Sequence, residues 1–162
     1  MLQVDAEFSD IEEMEILQAI HTWKRVTQDH VSFMIEWNIP KPGAYKDVYC
    51  AADGRLNCSY DKMFIWSLPK TSDQLTKEQL EEAKTYRGLM AHQGVDHVII
   101  FQDFPHDKFY GVVLHELGHL LGMNHVEDDK NVMFFDSSAA CIGPIDSVQI
   151  CNLYDCTPSP EC

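Results

Sequence analysis

The order of apolar and polar positions divides the chain into short strand-like runs and longer helix-like ones. "LQVDAEF" (2–8) alternates with the period of two expected of a strand. Ser9 and Glu12 then form a capping-box pattern. Ile16, Ile20 and Trp23 follow at helical spacing, so a helix is expected to run to about Gln28. "VSFMIEW" (31–37) predicts a strand closed by Pro40, Pro42 and Gly43, and "KMFIWSL" (62–68) predicts another. Thr76 with Gln79 repeats the capping pattern and predicts a second helix to about Met90, with Gly94 marking its end. "HVIIF" (97–101) is a short β-branched run and predicts a strand. Two helices complete the chain. One begins near Asp107 or Lys108 and carries "FYGVVLHELGHLLG", and the other is "IDSVQICNLY" (145–154). Strands concentrated in the first two thirds and helices dominating the end predict an α+β fold rather than a regular βαβ alternation. The expected organisation is a single domain over residues 1–156, followed by a Pro- and Cys-containing tail at 157–162.

The third helix holds "HELGHLLGMNH" (115–125), which a packed core would have no use for. His115 and His119 are four apart and so lie one turn apart on one helix face, where two imidazoles can share one ion. Glu116 stands beside the first of them, placed to take a proton from metal-bound water rather than to ligate the metal. Gly122, without a Cβ, can adopt φ > 0, end the helix and turn the chain so that His125 arrives as a third ligand. Three neutral imidazoles suit Zn2+ and leave a fourth position for water, whose pKa zinc lowers to about 7. The chemistry expected of this set is hydrolysis of a peptide bond by activated water, with Glu116 as general base.

Met133 comes eight residues after His125, in "DDKNVMFFD". At this point the chain resembles the metzincin zinc metallopeptidases, whose zinc motif is followed by a methionine-containing turn, and it looks closest to matrixin-like catalytic domains. The histidine-to-methionine spacing is similar to theirs. "FSDIEEMEILQAIHTWKRVTQDHVSFMI" is similar to their first helix leading into a strand, and "IDSVQICNLY" to their final helix. The resemblance spans most of residues 4–154, with its specific motifs in 115–133. It implies a mixed, twisted sheet with an active-site helix, a Met-turn and a C-terminal helix. It also implies that His115, His119 and His125 are zinc ligands, Glu116 the general base, and Met133 the apolar floor of the site. An extended peptide substrate would lie along a strand edge, for which "HVIIF" and "KMFIW" are both candidates, a buried core strand being an equal expectation for each. The chain departs from the family at Val126, directly after the third histidine. It departs again at Phe135, where some metzincins place a zinc-associated tyrosine, and in the lack of a proline after Met133. His92, His97 and His106 do not reproduce the spacing of a second matrixin zinc site and are expected to be ordinary surface or satisfied histidines.

Composition narrows the partners. With 26 Asp plus Glu against 12 Lys plus Arg, a net charge of −14 repels phosphate backbones, so no nucleic-acid partner is expected. No apolar run reaches the roughly 20 residues of a membrane span, and "MLQVDAEFSD" does not have the form of a signal peptide. Glu127, Asp128 and Asp129 could hold Ca2+, but lack an EF-hand spacing, and a solvated acidic loop is the simpler expectation. Four of the six cysteines, Cys141, Cys151, Cys156 and Cys162, fall near the end and suggest a disulfide-stapled terminus. Cys50 and Cys58 flank an Asp53-Gly54 turn and form the preferred local pair. Disulfides point to a secreted or cell-envelope protein, expected as a monomer acting on proteins or peptides. The rival from another class is a degenerate zinc protein that binds peptides without useful catalysis, although Glu116 would then have no purpose. A zinc hydrolase acting on non-peptide amides is a third possibility.

Overall fold

A computed structural model of the chain describes residues 1–39, 63–72, 75–91, 97–135 and 139–162. Pro40, Pro42, Gly43, the Cys50/Cys58 pair with its turn, His92 and Gly94 lie outside these residues. The fold is α+β, and its contacts divide it into two units, residues 1–8 with 34–103 and residues 9–33 with 104–162.

The first unit is built on a five-stranded sheet. Its strands are β1 (Leu2–Asp5), β2 (Ile35–Ile39), β3 (Met63–Leu68), β4 (Gly88–Ala91) and β5 (His97–Phe101), in the order β2-β1-β3-β5-β4. All neighbours run parallel except β4, which is antiparallel to β5. Every residue of β1 and of β5 is buried, as for central strands of a parallel sheet. The alternation of "LQVDAEF" therefore does not separate a wet face from a dry one. Its buried Asp5 is instead satisfied by the Glu7 and Ser67 N–H groups, each at 3.1 Å. Trp66, Leu68, Leu75, Ala83, Ile99 and Phe101 form an apolar cluster that Phe64, Leu80 and Leu89 extend.

Three expectations are corrected here. β2 begins at Ile35, four residues later than "VSFMIEW" suggests. Helix α2 (Lys77–Glu82) opens on the Thr76–Gln79 capping box but stops well short of Met90. Gly88 is a poor helix residue, and the backbone of 88–91 finds its hydrogen bonds on β5 instead, so tertiary pairing overrides the helical pattern. Finally, "KMFIW" and "HVIIF" form β3 and β5, each flanked on both sides. Neither can offer a free edge; among the described residues the sheet ends at β2 and β4.

The second unit contains helices α1 (Asp10–Val26), α3 (Phe109–Leu120) and α4 (Pro144–Tyr154), with a single 3-10 turn at His106–Lys108 leading into α3. Ser9 Oγ accepts the Glu12 N–H while the Glu12 carboxylate accepts the Ser9 N–H, so α1 starts where its capping box predicts. It ends at Thr27, before the left-handed Gln28 and Asp29. Its stripe of Ile16, Ala19, Ile20, Trp23 and Val26 is buried, and α1 packs on α3. Trp23 Nε1 donates to Leu114 O at 2.9 Å, tying the two helices through a buried polar atom. Disulfides Cys141–Cys162 and Cys151–Cys156 staple the end of the chain. The last residues are held down further by the Arg25–Glu161 ion pair and by Gln28 Nε2 donating to Thr157 O. No helix of the described residues is long and apolar enough to cross a membrane.

Candidate metal centre

The helix α3 and the turn that ends it bring three imidazoles together. His115 Nε2 lies 3.0 Å from His119 Nε2 and 3.2 Å from His125 Nε2, and the last two are 3.1 Å apart. His115 and His119 meet because four residues make about one helical turn. His125 reaches them because Gly122 adopts φ 91°, a left-handed conformation that costs a side-chain-bearing residue more than glycine. The turn is closed by Gly122 N–H to His119 O at 2.9 Å and Met123 N–H to Gly118 O at 3.0 Å.

The other ring nitrogens decide what this cluster can hold. His115 Nδ1 donates to Val132 O at 2.7 Å, and His119 Nδ1 to Met123 O at 3.0 Å. A carbonyl can only accept, so in both rings the hydrogen is on Nδ1 and Nε2 presents a bare lone pair. Lone pairs converging at such distances repel one another unless a cation lies among them. The three nitrogens are close enough together for one ion at the usual zinc–nitrogen distance of about 2.0–2.1 Å to reach all of them from one side of their plane. The donor set therefore fits zinc. Burial lowers the His115 pKa to about 4, against the opposing hydrogen bond to Val132, and burial also lowers that of His125. Both shifts favour the neutral, ligating form. Among the described residues, these three form the one group of His, Cys, Asp or Glu with ligand atoms close enough to share an ion.

Glu116, next to the first histidine, is 5% exposed, and its Oε2 has no hydrogen-bond partner. Burial pushes its carboxyl up to about 8. An unpartnered buried carboxylate oxygen is costly in a merely structural role, and beside the histidine cluster this makes Glu116 a candidate for function. Met133 is fully buried, with its thioether against Gly118 of α3. Phe135, two residues on, is 57% exposed, its ring close to that of Phe134. Of the other described histidines weighed in the sequence, His97 is buried in β5, and His106 stacks on Phe109 with Nδ1 3.8 Å from Glu15. In the acidic loop, Asp128 Oδ1 accepts the Lys130 N–H at 3.1 Å, while Glu127 and Asp129 are exposed.

A family model for the matrixin peptidases matches residues 22–154, which covers all three histidines, Glu116 and Met133. The chain belongs to the matrixin family. No individual curated protein matches it. The match agrees with the five-stranded, mostly parallel sheet and with the histidine cluster, and the family is one of zinc-dependent metallopeptidases.

In this matrixin the site depends on two residues that sequence reasoning passed over. Asp146, wholly buried on α4, accepts the N–H groups of Val132 at 2.6 Å, Met133 at 3.1 Å and Gly143 at 2.9 Å. The Val132 carbonyl in turn holds His115. Burial raises the Asp146 pKa, and the three N–H donors act in the opposite sense. Asn131 Oδ1 accepts the Ile145 and Asp146 N–H groups at the start of α4. One signal was available: Asp146 follows Gly143-Pro144 by the interval of a helix-capping acid. The reach of both side chains across some 14 residues had no signal in the sequence.

Proposed function

We propose that the chain is a zinc-dependent endopeptidase in which His115, His119 and His125 hold the metal and Glu116 is the general base. The observation that carries this is the convergence of three Nε2 atoms, two of which, on His115 and His119, are left as lone pairs by Nδ1–H bonds to backbone carbonyls. Zinc, when bound, supplies a Lewis acid that polarises a carbonyl and brings the pKa of a water to about 7.

The protein's own groups do the rest. The unpartnered Glu116 oxygen receives the proton of the attacking water and delivers it to the leaving amine. Its elevated pKa reflects burial alone, and a dication nearby favours the carboxylate that a base must be. Gly122 ends the helix so that the third ligand can arrive, and Met133 forms an apolar floor under the ligand helix. The substrates are proteins or peptides. The stapled terminus supports action outside the reducing cytosol, as a secreted or cell-envelope monomer.

The test is cleavage of a diverse peptide mixture, read by mass spectrometry, by the parent and by Glu116→Gln at equal zinc content. The parent should cleave, and the variant should lose at least about 10²-fold in rate. A zinc-loaded parent that cleaves nothing would favour the binding-scaffold alternative. Equal cleavage by both would remove Glu116 from the mechanism.

A further inference from the structure

His115 and His119 are held through peptide groups of the same design. His115 donates to the carbonyl of the Val132–Met133 peptide, and His119 to that of the Met123–Asn124 peptide. In each case a side chain of α4 takes the N–H of that same peptide. Met133 N–H goes to Asp146 Oδ1 at 3.1 Å, and Asn124 N–H goes to Gln149 Oε1 at 2.8 Å. Asp146 and Gln149 are three apart and so share one face of α4. Farther along that helix, Tyr154 OH donates to Leu121 O at 3.1 Å, where α3 ends.

We propose that Gln149 is a positioning residue for the metal centre. It acts through the Met123–Asn124 peptide on His119 and on His125, the next residue in the chain. The proposal rests on the three histidines binding zinc. Its physical content is twofold. Accepting the Asn124 N–H polarises the peptide and makes Met123 O a better acceptor for the His119 ring, which fixes its tautomer and strengthens its Nε2 as a donor. The same bond fixes the plane of the Met123–Asn124 peptide, one residue before His125, in a turn where Gly122, Asn124 and His125 are all exposed. Backbone bonds hold the turn up to Met123 N–H, which goes to Gly118 O, and again from Val126 N–H, which goes to Met133 O, and between them the Gln149 bond holds the Asn124 N–H. A Gln that merely decorated the surface of α4 would leave both ligands where they are.

Gln149→Met removes the acceptor at similar length, and Gln149→Glu keeps it. Three quantities separate positioning from plain stability: the zinc dissociation constant by competition with a chromophoric chelator, the urea midpoint of the metal-free protein, and the visible spectrum of the Co2+-substituted protein. The expected result is about a 10-fold or greater weakening of zinc binding in Gln149→Met, with an altered Co2+ spectrum and recovery of both in Gln149→Glu. Parental zinc affinity in Gln149→Met would overturn the proposal, as would a loss confined to metal-free stability or a Glu variant as weak as the Met variant. A parent protein that binds no zinc would instead overturn the three-histidine site itself, so the two failures can be told apart.

Discussion

Gly118 lies between His115 and His119 of α3, and replacing it with alanine should weaken the protein despite improving its helix propensity. On propensity alone, alanine is favoured over glycine in a helix interior by about 1 kcal/mol. The added methyl, however, would stand closer than 3.0 Å to Met133 Sδ, 3.1 Å from Trp23 Cζ2 and 3.2 Å from Met133 Cε. Methionine is adaptable, but Sδ is in the middle of its side chain, and both Met133 and Trp23 are wholly buried. Overpacking of this kind costs about 1–3 kcal/mol, and the upper part of that range applies where neither neighbour can move into solvent. The net expectation is a destabilisation of about 1–2 kcal/mol, or roughly 2–8 °C in Tm for a chain of this size. Zinc affinity should fall as well, because the Val132 carbonyl that holds His115 is one bond removed from the displaced Met133.

A double-mutant cycle isolates the clash. Met133→Ala alone should cost about 2–5 kcal/mol by leaving a cavity. In that background only the 3.1 Å contact with Trp23 Cζ2 remains, and the cavity left by Met133 gives the indole room to yield, so Gly118→Ala should be neutral or stabilising by up to about 1 kcal/mol. The coupling between the two sites, read from urea melts followed by circular dichroism, should be about 1–3 kcal/mol. Gly118→Ala at least as stable as the parent, or two substitutions that simply add, would refute this account of the contact.

Three further outcomes are expected. Glu15 Oε2 is buried without a hydrogen-bond partner, and burial raises its pKa, with His106 opposing and Glu12 adding. Stability is therefore lost as pH rises from the ordinary glutamate range through the raised folded-state pKa. Glu15→Gln should match the parent near pH 4 and exceed it at pH 7 in thermal melts, and the reverse order would exclude burial as the dominant cause. Gly122→Ala must place a Cβ at φ 91°, which should cost about 1–3 kcal/mol and weaken zinc binding, whereas unchanged affinity would mean that the turn does not control His125. Replacing Cys141 and Cys162 by serine opens a separation of 21 residues and should cost about 3 kcal/mol, against about 2 kcal/mol for the Cys151–Cys156 pair with a separation of 5, a ranking that denaturant midpoints would test.

How much of this was legible in the sequence follows the range of the interactions. The capping boxes at Ser9 and Thr76 are local hydrogen bonds, and both helices start where those residues say. The three clustered histidines are local as well, since a helical turn and a left-handed glycine bring them together within 11 residues. β4 was misread because "GLMA" has no strong preference of its own and is a strand only through its pairing with β5. The edges of the sheet failed for a related reason: "KMFIW" and "HVIIF" are apolar because they are central, and of the two strands that end the sheet among the described residues only β2 reads as a strand in the sequence.

The network behind the ligands was the least visible part, and it also explains why an acid is buried there. Asn131 of the turn accepts N–H groups of α4, and Asp146 of α4 accepts N–H groups of the turn, so each segment caps the other. Such reciprocity needs residues 14 and 15 apart to meet, and no local pattern announces it. Three N–H donors, from Val132, Met133 and Gly143, engage both oxygens of Asp146. Asparagine in its place would turn an NH2 group towards at least one of them and leave a buried donor facing a donor, at a cost of about 1–3 kcal/mol. The carboxylate bears its desolvation because both its oxygens are used, and the turn it steadies is the one whose Val132 carbonyl orients His115.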